Sequence, residues 1–577
     1  MINQQFVKLL YDVADVLELQ QVPWKPEAYR KAARAIEAMQ DDLAGIFESK
    51  GKKGLEEIPG VGSGIADHII EYIKKGKVQR FLTILKKAPK GYTELLEIEG
   101  LGPRKVKILT EKLGIKNLVS LSKALEEHKL RNVAGFGEVS EQNLLKSLAL
   151  HELGRQRMLL GRALPLAEEI IAFLKMRAQL QQIQYAGSLR RMKETIGDID
   201  ILVVSSEAAK VTRAFTHLPS VKRVLASGKT KSSIILKEGV HVDLRILPRK
   251  SYGAALQYFT GSKDHNIALR NIAIKKGYKL SEYGLFSKKT GEQVAGATEE
   301  EVYSKLGFSY VPPELRESAG ELEAAQKGKL PKLIEAADIR GDLHVHTKLS
   351  DGTESIEAMV AAAQKLGYEY IAITDHSPSE RIAHGLEIDR LKQQWKQIDA
   401  LSRKYKIRVL KGSEIDIRAD GTLDYPDEIL RQLHIAVCSI HSRFKSSEQE
   451  MTQRICSALE NKYLDILGHP SGRLIGQREP YEADFAKIFD VAAQNKKVVE
   501  INSQLARLDL NGSHIRIAKE YGLLFSIDTD SHASTQLLNM RYGVAQARRG
   551  WLTKADVVNT LPLTRLRKVF RRIPDNY

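Results

Sequence analysis

The sequence predicts a multidomain protein, α+β followed by α/β. Helical domains come first, a mixed sheet occupies the middle, and a distorted (β/α)7-type barrel closes the chain. Three observations carry this reading. An apolar residue, a G-x-G turn and a helix start recur together in the N-terminal quarter. A strand opens on two aspartates, Asp198 and Asp200, and a later alternating strand carries a third, Asp243. Beyond residue 339, β-rich runs alternate with helical stretches, and almost every run finishes on a histidine or a carboxylate.

At 577 residues the chain needs several cores, and 43% hydrophobic with 28% charged residues suits globular domains. The net charge of +17 points to a polyanionic partner, nucleic acid before membrane. Only two cysteines occur, Cys438 and Cys456, which excludes a disulfide framework and a cysteine-based zinc site and fits a reducing compartment. The start MINQQFVKLL lacks the pattern of a signal peptide, and no apolar run is long enough to span a bilayer. The expectation is a cytoplasmic protein without a membrane partner, acting as a monomer.

In chain order, residues 6–39 show helical spacing broken at Pro23 and Pro26, giving about two helices. Then come IPGVGSGIA at 58–66, IEGLGPRKV at 98–106 and VAGFGEVSE at 133–141. In the first two, Gly60 and Gly62, and Gly100 and Gly102, let the backbone approach closely, and the following helix N-terminus offers N–H groups to a phosphate. This is the signature of a helix-hairpin-helix, which grips the DNA backbone without reading sequence. The third copy has Glu138 and Glu141 where cations would help, which leaves it a structural role. The helical region divides into 1–90 and 91–150.

Residues 151–247 hold an amphipathic helix at 162–178, strands near 182–186, 198–204, 221–226, 230–237 and 240–246, and a helix around 206–217. Side chains two apart on a strand share a face, so Asp198 and Asp200 present two carboxylates side by side. With Asp243 on another strand, they can hold two Mg²⁺ ions that clamp the attacking and leaving oxygens of a phosphoryl transfer. The Gly187–Ser188 turn and Arg191 are placed to hold the phosphates of a nucleotide.

This constellation resembles the nucleotidyltransferase palm of the family X DNA polymerases. The stretch YFTGSKDHNIALRNIAIKKGYKLSEYGL, residues 258–285 within a segment spanning 248–317, is similar to that family's nucleotide-binding segment. The resemblance implies that Tyr258 and Phe259 pack against the incoming sugar and favour dNTP over rNTP. It implies that Gly261 allows close backbone approach, and that Asn266 and Arg270 face the minor-groove side of the nascent pair. Lys263 departs from the animal enzyme, which is acidic there, and would add a phosphate or base contact. A second departure is GIADHIIEYI, where Gly64 and His68 stand at positions expected to be lysine. A Schiff base needs a primary amine, so lyase activity on a 5′-deoxyribose phosphate by that route is not expected.

Residues 318–338 read as a polar, Pro/Gly-punctuated linker with some short helix. In 339–577, β-rich runs end near His346, Thr374, Gly412, Ile440, Gly468, Asn502 and Asp528. Strand C-termini of a (β/α) barrel converge on one rim. His344, His346, Asp351, His376, Glu414, His441, His469, Asp530 and His532 would therefore meet in one cup. Nine ligands suit two or three ions, and the mixed set suits Mn²⁺ or Zn²⁺ more than Mg²⁺. Arg418, in the loop after Glu414, is a candidate phosphate ligand. The region resembles the PHP (polymerase and histidinol phosphatase) domain, whose expected ligand positions are filled, which implies metal-dependent phosphoester hydrolysis.

Together the resemblances cover essentially the whole chain and match the bacterial and archaeal type of family X polymerase. They imply gap filling on gapped or primer–template DNA with dNTPs in base excision repair, plus 3′→5′ exonuclease and AP endonuclease activity. Two alternatives stand beside this: a DNA-binding PHP phosphatase acting on small phosphoesters, and a non-catalytic repair scaffold.

Overall fold

The computed structural model describes residues 2–20, 22–37, 42–85, 95, 98, 101–133, 135–138, 140–145, 148 and 157–574. Gly100 lies outside them. Helices Ile2–Leu19, Lys25–Glu37, Leu43–Glu56 and Ser63–Lys75 close around Phe6, Leu10, Ile69 and Phe81. Helices Pro103–Leu113 and Leu118–Glu126 pack around Val106, Leu109, Leu121 and Phe136. Each group thus has its own apolar centre.

The central sheet has five strands: β1 (Gln182–Tyr185), β2 (Asp198–Val204), β3 (Val221–Ser227), β4 (Lys231–Leu236) and β5 (His241–Ile246). Their order is β1-β2-β5-β4-β3, mixed as expected, with only the β2–β5 pair parallel. Helices Leu160–Arg177 and Ala208–Thr216 cover one face and bury Ile199, Ile201, Val203, Val242 and Leu244. The alternation expected of the strand that carries Asp243 is present: Val242, Leu244 and Ile246 face the core while His241, Asp243 and Arg245 face the open side.

Helices Tyr252–Thr260 and Lys263–Lys275 come next, with an antiparallel sheet of β6 (Tyr278–Ser281), β7 (Gly284–Ser287) and β8 (Gln293–Ala295). The stretch after Pro312 does contain a short helix, Glu321–Gln326, but it is packed rather than free. Leu322, Ala325 and Leu333 enter the core beneath this sheet. Arg316 and Glu321 are wholly buried because each has partners: Arg316 binds Glu299 at 2.6 Å, and Glu321 accepts from the His265 ring at 2.6 Å. Glu299 also takes Arg190 at 2.6 Å, so one carboxylate ties the central sheet to the segment around Arg316.

The C-terminal sheet has seven parallel strands in sequence order: β9 (Gly341–Asp342), β10 (Tyr370–Ile373), β11 (Arg408–Asp416), β12 (Ile435–Ser439), β13 (Ile466–Leu467), β14 (Val498–Asn502) and β15 (Leu524–Asp528). This is a nearly closed barrel. Strand β11 runs past Gly412 to Asp416, because Glu414 still pairs with Val437 of β12. Strand β9 stops before the first histidines, so His344 and His346 lie beyond it on either side of the single bridge Val345–Ser531. Beyond that bridge the seam between β9 and β15 is closed by the Thr353 N–H donating to the His532 carbonyl at 2.7 Å and by side chains. The Leu343 N–H donates to Asp528 Oδ1 at 2.8 Å, the Thr529 N–H to Asp342 Oδ1 at 3.2 Å, and Asn559 Nδ2 to the Gly341 and Ile527 carbonyls at 3.0 Å each.

The barrel is fused laterally to the central sheet. Leu508 and Tyr542 of the barrel belong to the central core, with Leu505 packed on it. Gly161 admits Leu505, since a Cβ there would stand 2.3 Å from Leu505 Cδ2. Helix Met540–Arg549 sends Gln546 to the Met192 carbonyl at 3.1 Å and Arg549 to the Arg191 carbonyl at 2.7 Å. Among the described residues no helix is long and apolar enough to cross a membrane.

Candidate functional site

Two separate constellations emerge. In the first, the parallel register sets Asp200 beside Asp243 and Asp198 beside His241. Gly187, at φ 63°, turns the chain so closely past them that a Cβ would lie 2.9 Å from Asp200 Oδ2. Burial, then the charges of Asp198 and Asp243, raise the Asp200 carboxyl to about 7. Burial acts on Asp243 in the same sense, but His241 at 3.2 Å, the Ser233 hydroxyl and Lys231 at 3.0 Å outweigh it and hold that carboxyl well below its usual range. Three crowded carboxylates, one of them forced toward its neutral form, are what a divalent cation relieves. Their oxygens nonetheless do not gather within 4.8 Å of one another, as those of the barrel do.

Ser188 sits in the short helix Gly187–Arg190. Arg191 donates from Nη1 to the Thr260 carbonyl and from Nε to Glu317 at 3.1 Å. Tyr258 and Phe259 end the helix Tyr252–Thr260 as an edge-to-face pair with centroids 5.1 Å apart, and the Arg245 guanidinium lies 4.3 Å over the Phe259 ring. Gly261 (φ 69°) passes beside Arg191, with a Cβ position 3.0 Å from its Nη1. Asn266 is fixed, donating to the Tyr258 carbonyl and accepting from Gln257, both at 2.7 Å. Lys263 begins the next helix and is exposed, as is Arg270 about two turns further along the same face.

The second constellation lies at the C-terminal rim of the barrel, where all nine named side chains meet. Three groups present ligand atoms mutually within 4.8 Å: His346, Asp351, His376 and His532; His344, His346 and Asp530; and His376, Glu414 and His441. Glu414 is the hub. Its Oε2 lies 3.3, 3.4 and 3.1 Å from His344, His346 and His376, and its Oε1 lies 3.2 and 2.8 Å from His441 and His469. His469 touches Glu414 but falls outside the three groups.

The donor set fits divalent ions. The Nε2 atoms of His344 and His346 face each other at 3.1 Å. Nδ1 of His346, His376, His441 and His469 are buried without a hydrogen bond. Burial opposes charge on His346, but hydrogen bonds to Asp530 and Glu414 hold its pKa near 10. Glu414 is held well below its usual range, with burial outweighed by His376, His441 and His344.

Some residues of the cup carry no signal strong enough to single them out in the sequence. Glu500 accepts from His344 Nδ1 at 2.6 Å, turning Nε2 toward the cup, and from the His469 N–H at 2.5 Å. Asn502 donates to Asp530 at 3.1 Å. Both lie on β14, two apart, and that alternation in VVEIN was the available clue. Asp416 likewise comes two residues after Glu414 and stands 3.3 Å from His441 Nδ1. Arg418, by contrast, is held by Asp424 at 3.0 Å.

Comparison with known proteins adds the lineage. Residues 1–78 match the helix-hairpin-helix domain, 92–149 the SAM-like helix-hairpin-helix tandem, 255–317 the DNA polymerase beta thumb and 342–504 the PHP domain. The chain is 40% identical over 576 residues to the DNA polymerase/3′-5′ exonuclease PolX of Bacillus subtilis (strain 168), covering 99% of each. This chain belongs to the family X DNA polymerases that carry a C-terminal PHP domain. The chain is also 29% identical, over 38% of its own length and 89% of the other, to a protein described as a probable phosphatase from Thermoanaerobacter sp. (strain X514). A second such relative, from Caldanaerobacter subterraneus subsp. tengcongensis, is 30% identical over 33% of this chain and 75% of its own.

Of the four hairpin glycines, Gly60, Gly62 and Gly102 lie among the described residues. Gly60 (φ 87°) lets the turn press against the preceding helix, with a Cβ position 2.9 Å from Lys31 Cγ. Gly62 and Gly102 cap the helices Ser63–Lys75 and Pro103–Leu113 without a side-chain hydrogen bond, leaving first-turn N–H groups for a phosphate. In the third copy Glu141 is buried, accepting from Arg131 at 2.9 Å and contacting His128 at 3.0 Å, so its carboxylate braces the turn. His68 lies 4.7 Å from the Phe81 ring, its pKa lowered by burial and by Arg80.

Proposed function

We propose that this chain is a DNA-directed DNA polymerase of gap-filling base excision repair, with a 3′→5′ exonuclease and an AP endonuclease activity in its PHP barrel. The observation that carries this is the coexistence, along one chain that covers 99% of a PolX relative, of an aspartate-bearing palm and a cup of eight grouped ligands with His469 on Glu414. The reading places the enzyme in the cytoplasm as a monomer.

In the palm, Asp198, Asp200 and Asp243 hold Mg²⁺. Those ions, when bound, orient and neutralise the reacting phosphate oxygens. Ser188 and Arg191 bind the triphosphate, and Arg191 exchanges the Thr260 carbonyl and Glu317 for phosphate oxygens as the nucleotide enters. Tyr258 and Phe259 wall the sugar and leave no room for a 2′-hydroxyl, while Lys263, Asn266 and Arg270 address the nascent pair. The hairpins at Gly60–Gly62 and Gly100–Gly102 hold the DNA backbone. In the barrel, the nine ligands hold two or three Mn²⁺ or Zn²⁺ ions, which supply Lewis acidity to a phosphoester. Glu500 orients His344, and Asn502 orients Asp530.

A labelled primer on gapped DNA, with Mg²⁺ or Mn²⁺ and with or without dNTPs, tests both halves. Extension with dNTPs and shortening without them is expected. Extension alone would favour small phosphoesters as the barrel's substrate, a reading that the kinship with probable phosphatases supports. Neither, with DNA bound, would leave a scaffold.

A further inference from the structure

Strand β14 ends at Asn502, and the chain returns on itself within seven residues, Asp509 pairing back with Asn502. The resulting loop presents Arg507 to the cup. Its side chain is 14% exposed, and Nε stands 3.5 Å from Asp530 Oδ2, beyond a good hydrogen bond. Asp530 has other claims on it: Oδ2 accepts from Asn502 at 3.1 Å and Oδ1 lies 3.3 Å from His346. Arg507 Nε and Nη1 are both buried without a hydrogen-bond partner. A buried, unsatisfied N–H on a charged group is among the costlier things a fold can keep.

The neighbouring arginines are not in this state. Arg418 binds Asp424, Arg454 binds the Ile417 and Ser442 carbonyls, Arg473 binds Glu194, and Arg478 binds the Gly472 carbonyl. The loop is also anchored. Leu508 is fully buried in the palm core and Leu505 packs on it, while the Arg507 and Leu508 carbonyls both accept from Arg473.

We propose that Arg507 is a substrate-binding residue of the phosphoesterase site, its guanidinium taking a non-bridging oxygen of the phosphate that the barrel cleaves. The palm holds the loop, so the polymerase half fixes the position of a phosphate ligand in the other half. This rests on the barrel's being a phosphoesterase.

The test uses the full chain and its R507K and R507Q variants, loaded with Mn²⁺. Three quantities are read: hydrolysis of thymidine 5′-(p-nitrophenyl phosphate), equilibrium binding of radiolabelled inorganic phosphate, and bound Mn²⁺. R507Q is expected to weaken phosphate binding and raise KM by about tenfold to a hundredfold. R507K should fall between, and added guanidinium ion should restore R507Q in part. Bound metal and thermal midpoint should stay as in the parent. Unchanged phosphate binding and KM in R507Q would overturn the proposal. So would a loss of bound Mn²⁺ accounting for the defect, which would make Arg507 a support for Asp530. If the parent protein hydrolyses neither the ester nor DNA, the phosphoesterase reading fails instead, and phosphate binding still decides the role of Arg507.

Discussion

At the scale of single residues, the palm places Gly187 where only a glycine fits twice over: its φ is left-handed, and its missing Cβ gives Asp200 its room. Gly187→Ala should lower dNTP incorporation at least tenfold and cost about 1 kcal/mol of stability, read from primer extension and urea unfolding. Asp198→Ala with Asp200→Ala should abolish extension and spare hydrolysis, because the cup shares no ligand with the palm. His344→Ala with His346→Ala should do the reverse, and loss of extension in that variant would mean the two sites are not independent. The named side chains were legible because chemistry-bearing types stood at strand spacing: Asp198 and Asp200, His344 and His346. Glu500 and Arg507 were not. The first hides in an apolar run, and the second owes its position to a loop anchored in another domain, which no local pattern records.

At the scale of elements, strand and helix positions in the palm and barrel came from alternation and punctuation, while the order of the strands in the palm sheet did not. What the pattern could not reveal is how the stretch after Pro312 is held, since its charges look solvated and Arg316 and Glu321 are in fact buried. Glu299 is the key. Burial would raise its carboxyl, but Arg316 and Arg190 outweigh it and hold the pKa at about 2. A folded-state pKa below the unfolded value means that this pair of contacts stabilises the fold fully above pH 4.5 and ceases to do so as pH falls toward 2. The shift corresponds to about 3 kcal/mol. Denaturant unfolding between about pH 6 and pH 3 should show a steeper loss for the parent than for Glu299→Gln. At neutral pH that variant should be less stable by roughly 3 kcal/mol, because two arginines lose their counter-charge. Parallel pH profiles would refute this.

At the scale of the whole molecule, palm and barrel share a core, so Leu505 in the pocket over Gly161 is a joint rather than a surface contact. Gly161→Leu should separate the two domains' unfolding transitions in calorimetry, where the parent should show one shared transition. The barrel's seam has a consequence of its own. It is bridged by the Val345–Ser531 pair, the Thr353 N–H to the His532 carbonyl and a few side chains, and the cup straddles it: His344 and His346 come from the β9 side, Asp530 and His532 from the β15 side. Ions held between those four ligands would act as a staple across the weakest line of the cylinder. Chelation should therefore speed amide hydrogen exchange at residues 343–346 and 529–532 well before it reaches β12 on the opposite wall. The barrel would then report its metal content as a mechanical state, stiff when stapled and open along one edge when not.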